Sequence, residues 1–179
     1  TSKCLPERGR IGIFNRSYYE ETLVVRVHPP ILAGQHLPQE LVTKSIWEER
    51  LEDIAAFERY FARQGYLILK YFLHVSKEEQ KARFLSRLDE PEKNWKFALG
   101  DVREREHWDE YQQAYEATIR ATAAPHAPWF VVPADHKWFT RLVVSQTLVA
   151  AIEGLDLAWP KPALAPADLA AARKALAKD

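Results

Sequence analysis

Apolar residues along this chain fall into two patterns that take turns, short continuous runs and stripes at helical spacing. Ile11 to Phe14 is a short apolar run bounded by Gly9 and by Asn15-Arg16, and it predicts a buried strand. Tyr18 to Arg26 reads as a short helix stopped by Pro29-Pro30, with Leu32 to Gln39 as a loop. Ser45 and Glu48 form a capping-box pattern ahead of a stripe of Trp47, Leu51, Ile54, Phe57 and Phe61, with Gly65 placed as the C-terminal cap. Tyr66 to Val75 is nearly continuous in apolar and aromatic residues, as a parallel strand covered on both faces would be.

Ser76 and Glu79 repeat the capping box before a basic helix to about Leu88, and a polar stretch runs from Asp89 to Gly100. Asp101 with Glu104 has the pattern of a third N-terminal cap, followed by Trp108, Tyr111, Tyr115 and Ile119 at helical spacing. Trp129 to Pro133 predicts another short strand. Asp135 is placed to cap a helix carrying Phe139, Leu142, Val143, Gln146 and Val149, ending near Gly154. A Pro-rich linker around Trp159 to Pro166 leads to an Ala-rich last helix from about Asp168. Strands alternating with helices predict an α/β layered fold with parallel strands at about 11–14, 66–74 and 129–132.

Composition adds bounds. A chain of 179 residues suffices for one ordinary domain and a sizeable core. Its 25 basic residues balance its 25 acidic ones, so any site for a polyanion must be local rather than global. The single cysteine, Cys4, allows no disulfide within the chain, which suits a reducing compartment. No apolar run approaches the roughly 20 residues that span a bilayer, and cytoplasm is the expected location. Thr1 to Arg10 is polar and irregular and reads as a cut through the middle of a domain.

Three clusters carry candidate chemistry. Asn15-Arg16-Ser17-Tyr18-Tyr19-Glu20-Glu21 follows a predicted strand, where open α/β sheets place ligands. Arg16 offers a planar fork of donors to phosphate oxygens, and Glu20 or Glu21 could hold Mg²⁺ directly or through water. The alternative is a solvated turn at an acidic helix N-terminus. Lys93, Lys96, Arg103 and Arg105 surround a loop between predicted helices and could form a lid over phosphates. Here the alternative is a solvated helical hairpin. Asp135, His136 and Lys137 follow the last predicted strand, with Arg141 one turn on, and could contact a nucleobase or phosphate; the plainer role for Asp135 is a helix cap. The six histidines show no metal-binding spacing.

At these residues the chain resembles a known family. Gly9 to Glu21, continuing through Leu23-Val24-Val25-Arg26-Val27-His28-Pro29, resembles the second nucleotide-binding motif of polyphosphate kinase family 2. Lys93-x-Trp95-Lys96, then Asp101, Arg105, Trp108 and Tyr111, is similar to that family's lid. Val132-Pro133-Ala134-Asp135-x-Lys137, with Arg141, is similar to its last strand-to-helix turn. The likeness extends from Thr1 to about Pro160, which would be the C-terminal part of a P-loop kinase domain with its lid over about 77–122. Residues 161–179 would then be a C-terminal linker and helix.

The resemblance implies a thymidylate-kinase-like three-layer fold, Mg²⁺, and phosphoryl transfer between inorganic polyphosphate and adenine nucleotides. Asn15 and Glu20 look like the subgroup that accepts both AMP and ADP. It implies Arg16, Asn15 and Glu20 as catalytic, with Glu20 also at the metal. Arg16, Lys93, Lys96, Arg103 and Arg105 would hold the phosphates, and Asp135 with Lys137 the nucleotide. It further implies a homo-oligomer that uses neither membrane nor nucleic acid. The family's Gly-rich phosphate loop is expected upstream of position 1, supplied by an N-terminal half of the same enzyme, since no G-x-x-x-x-G-K match occurs in these residues. Two rival readings are a non-catalytic nucleotide-binding remnant and an ATP-dependent nucleoside monophosphate kinase.

Overall fold

Two strands, Lys70–His74 (β1) and Trp129–Pro133 (β2), pair in parallel with Lys70 opposite Trp129 and His74 opposite Pro133. This is seen in a computed structural model that describes residues 2–161 and 163–177. Because the register ends both strands together, the turns at Ser76 and at Asp135 lie side by side, and Ala134 N–H donates to the His74 carbonyl at 2.9 Å. The helices are Val24–Val27 (α1), Pro29–Gly34 (α2), Ile46–Arg63 (α3), Lys77–Asp89 (α4), Leu99–Glu104 (α5), Trp108–Thr122 (α6), Lys137–Glu153 (α7) and Pro166–Leu176 (α8). Short 3₁₀ turns lie between them, among them Tyr18–Glu21 and Pro91–Lys96. The chain divides into two compact units, Thr1–Val143 and Val144–Asp179. Among the described residues no helix is long and apolar enough to cross a membrane.

The first unit has its core where α3 and α6 meet. Tyr19, Leu23, Ile54 and Ala114 are buried together, with Tyr18, Val27, Tyr115 and Trp129 packed around them. Each large apolar side chain buried here contributes about 1.5–3 kcal/mol from water exclusion. The expected α/β class with parallel strands is present, and β2 falls where the apolar run placed it. Half of the Ser76 box forms as predicted, the Ser76 hydroxyl accepting from Glu79 N–H at 3.1 Å, while Ser76 N–H donates to Asp135 and the Glu79 carboxylate accepts from Arg83. Gly65, at φ +86°, ends α3 in a Schellman turn: Gly65 N–H bonds to Ala62 and Tyr66 N–H to Phe61, and the Tyr66 ring packs on that of Phe61.

Several local expectations are corrected. Residues 11–14 form no strand; Ile13 is 88% exposed, and the run pairs with neither β1 nor β2. An apolar run becomes a strand only where a neighbour can complete its hydrogen-bond ladder. The run from Tyr66 narrows to Lys70–His74, the five positions that β2 faces. The predicted helix 18–26 is a 3₁₀ turn and a separate α1, and Pro29-Pro30 follow the end of α1 at Val27 and also open α2. A proline's fixed φ and missing N–H cost nothing in a first turn, so the predicted loop after them is partly helical.

Ser45 does not cap α3 through its side chain; its hydroxyl donates to Glu49 Oε1 at 2.6 Å. Asp101 lies inside α5, which begins two residues earlier, and its carboxylate faces Arg87 at 3.7 Å. The helix with Trp108 and Tyr111 starts separately.

Candidate active site at the Arg16 loop

Among the described residues no backbone hydrogen bond is made by residues 11–16, which are exposed at every position. Order begins at Ser17, whose hydroxyl accepts from Tyr19 N–H at 3.4 Å and starts the 3₁₀ turn. Arg16, just before it, adopts φ +71°, the left-handed region that costs a residue with a Cβ about 1–2 kcal/mol. Its side chain is 78% exposed, and Nη1 stands 3.6 Å from Glu20 Oε2 one turn on. Tyr115 of α6 lies in the field of both charges, stacked at 4.3 Å on Phe72 of β1. Burial first, then the Glu20 charge, pushes the Tyr115 phenol up, while Arg16 pulls it back.

The two neighbouring carboxylates have separate duties. Glu21 is held by Arg50, whose Nη1 donates to its Oε2 at 2.9 Å and to its carbonyl at 3.2 Å, and by Gln35 at 2.8 Å. Glu20 makes no side-chain hydrogen bond among the described residues and is only loosely paired to Arg16. Of the pair suggested by the sequence, Glu20 is therefore the one free to take a ligand. Asn15 beside it is exposed. The described residues contain no group of three or more His, Cys, Asp or Glu side chains arranged for a metal ion. A divalent cation here would draw one carboxylate from this chain and complete its shell with phosphate oxygens and water, which Mg²⁺ tolerates.

Beneath the loop lies a network that sequence reasoning passed over. Tyr18 and Tyr19 both donate from their hydroxyls to Glu58 Oε1 at 2.8 Å. Lys70 Nζ donates to Glu58 Oε2 at 2.6 Å, to the Tyr19 hydroxyl at 3.0 Å and to the Thr122 carbonyl at 2.9 Å. Trp129 Nε1 donates to Thr122 Oγ1, which itself donates to the Thr118 carbonyl. Glu58 is 1% exposed and Lys70 7%. Burial pulls the Lys70 ammonium below its ordinary value against the opposing pull of Glu58, and burial with the Glu58 charge drives both phenols well up. Removing one partner would strand a buried charge, at about 3–5 kcal/mol. The sequence did carry a signal. Glu58 falls four residues after Ile54 on an apolar stripe, and Lys70 interrupts an apolar run.

The lid candidates lie between β1 and β2. Lys93 pairs with Glu90 and donates to Ser86 Oγ at 3.3 Å, while Lys96 sits 4.9 Å over the Trp95 ring. Arg103 is exposed. Arg105 is committed within the segment 77–122 expected to form the lid, donating to the Lys77 carbonyl at 3.2 Å and to Gln80. The same segment meets the first motif through Glu104, which accepts from Tyr111 at 2.9 Å and faces His28 Nε2 at 3.0 Å. At the strand ends, Asp135 accepts from Ser76 N–H at 2.7 Å, and Lys137 is exposed at the start of α7. His74, Ser76, Asp135, His136 and Phe139 line an open cavity of about 350 Å³ there. Among the described residues no hydrogen bond or ion pair joins Arg16 and Glu20, the four candidate lid cations, and Asp135 with Lys137 to one another.

Comparison with known proteins gives these places a context. Residues 1–158 match the model of the family described as Polyphosphate kinase 2. The chain is 50% identical over 162 residues to an ADP-polyphosphate phosphotransferase of Rhodopseudomonas palustris, covering 90% of this chain and 56% of that protein. It is 47% identical over 158 residues to an AMP/ADP-polyphosphate phosphotransferase of Meiothermus ruber, covering 88% and 55%. The crystal structure of polyphosphate kinase 2 from Arthrobacter aurescens superposes with a TM-score of 0.87 at 39% identity, over 99% of this chain and 58% of that one. The chain therefore spans little more than half the length of these relatives.

Proposed function

The chain belongs to the polyphosphate kinase 2 family, and on that premise we propose that it serves Mg²⁺-dependent phosphoryl transfer between inorganic polyphosphate and AMP or ADP. The observation that carries the reading is the Arg16 loop. An exposed guanidinium is carried on a costly backbone conformation one turn from a carboxylate that, among the described residues, makes no side-chain hydrogen bond and only a loose pair with Arg16. Phosphoryl transfer asks a protein mainly for alignment and positive charge. Arg16 would grip the transferred phosphoryl oxygens with two parallel N–H donors. Glu20 would hold Mg²⁺, with Asn15 beside it as a neutral hydrogen-bonding group; the ion when bound neutralises phosphate charge.

Lys93, Lys96 and Arg103 would spread along the polyphosphate chain, with Arg105 bracing the lid from behind and adding its charge. Lys137 would face the nucleotide, its turn set by Asp135. The Gly-rich loop that grips phosphates in such kinases would come from an N-terminal half outside these residues. The reading includes a homo-oligomer in the cytoplasm.

The test incubates the full-length protein with AMP or ADP, polyphosphate and Mg²⁺, without ATP. Formation of ADP or ATP is expected. Transfer to AMP only when ATP is the donor would replace the reading with an ATP-dependent monophosphate kinase, and nucleotide binding without transfer by a regulatory remnant.

A further inference from the structure

We propose that the buried pair of Glu58 and Lys70 is the positioning element of the Arg16 loop, acting through the hydroxyls of Tyr18 and Tyr19; this rests on the reading of Arg16 as a phosphate-binding group. Residues 11–16 are exposed throughout and pair with neither strand, so the loop cannot place itself. After the Ser17 hydroxyl, its first side chains anchored in the core are Tyr18 and Tyr19, two and three residues after Arg16. Both rings are fixed from below, Tyr18 against Phe57 at 5.4 Å and Tyr19 against Trp129 at 4.9 Å, and both hydroxyls converge on one oxygen of Glu58.

The charge state of the pair is what directs those hydroxyls. An ionised carboxylate only accepts, so both phenol protons must point inward to Oε1. The ammonium has three protons, and all three are committed: to Glu58, to Tyr19 and to the Thr122 carbonyl. No buried polar side-chain atom among the described residues is left without a partner. The pair therefore joins α3 and β1 to the end of α6 and pulls the Tyr18–Glu21 turn onto all three.

Stability alone does not call for such an arrangement. Apolar residues of similar volume often hold a core as well as a buried ion pair does, because two desolvated charges cost nearly what they return. What apolar residues cannot do is aim two hydroxyls at a single point. Glu58 and Lys70 are positioning residues in this reading, since neither would touch substrate.

A double-mutant cycle in the full-length protein tests this, with kcat/KM for polyphosphate-dependent transfer measured per folded molecule. Tyr18→Phe keeps the ring packing and removes one hydroxyl. It is expected to lower kcat/KM roughly 3- to 10-fold, the span of one hydrogen bond, chiefly through kcat. In an Arg16→Lys background the same substitution should cost less than about twofold, because the group being placed is already misshapen. Glu58→Gln should follow the same pattern more strongly; where it does not fold, Tyr18→Phe alone decides. Equal losses in both backgrounds, or a lower Tm with unchanged kcat/KM, would overturn the positioning role. An Arg16→Lys enzyme as active as wild type would instead overturn the phosphate-binding reading on which it rests.

Discussion

Asp135 accepts a hydrogen bond from the Ser76 backbone N–H at 2.7 Å, and so ties the turn after β2 to the turn after β1. Arg83 reinforces the tie by donating to the Ala134 and Asp135 carbonyls at 2.8 and 2.9 Å. The Ser76 N–H holds the Asp135 carboxyl below its ordinary value of 3.8, with the Ser76 side chain helping and Arg83 adding to the effect. A carboxyl depressed in the folded state adds stability that is present above its ordinary value and is lost as pH falls through the lowered one. Asp135→Asn should therefore lower Tm at pH 7 and flatten its fall below about pH 4. Thermal unfolding across pH 3–7 measures both, and coincident pH profiles would leave the Asp135 charge with no part in the tie.

Arg16→Lys in the full-length protein should cost about 1–3 kcal/mol of transition-state stabilisation, because a point charge replaces a two-pronged grip. Unchanged kcat/KM would return Arg16 to a solvated turn.

The lid lysines should make polyphosphate binding sensitive to salt. Exposed charges are screened over a Debye length of about 8–10 Å near physiological ionic strength. The KM for polyphosphate should rise with salt in the wild type and rise less steeply in the Lys93→Ala/Lys96→Ala double variant. Each single alanine should matter less than the pair, since residues acting together are not additive. Identical salt slopes would make the region a structural hairpin.

Gly65→Ala should destabilise the protein by about 1–2 kcal/mol, the cost of a Cβ in left-handed backbone. No atom lies within 4 Å of where that Cβ would stand, so strain and not collision sets the effect. Thermal unfolding reads it, with kcat/KM of the folded enzyme unchanged; a Tm equal to wild type would mean that the turn opens without loss.

How much was legible in the chain depended on how far each interaction reaches. The Ser76 cap and the Gly65 turn involve partners within five residues, so their residue types announced them. The same range of sight caught only half of Pro29-Pro30, where α1 ends as expected and α2 then opens, since one local rule permits both. It misled at residues 11–14 as well, because apolar character cannot say whether a neighbouring strand is there.

By itself the sequence determined the alternation of strands and helices, the helix ends set by nearby partners, and the motifs that mark the family. Tertiary structure alone decided that Glu21 is bound by Arg50 while Glu20 is not, that Asp135 reaches across to Ser76, and that Arg105 donates to the Lys77 carbonyl. It alone brought Glu58 and Lys70 together beneath Tyr18 and Tyr19. The reason is physical: a charge in an apolar stripe is tolerable only with a partner, and that partner's identity is a property of packing rather than of spacing along the chain.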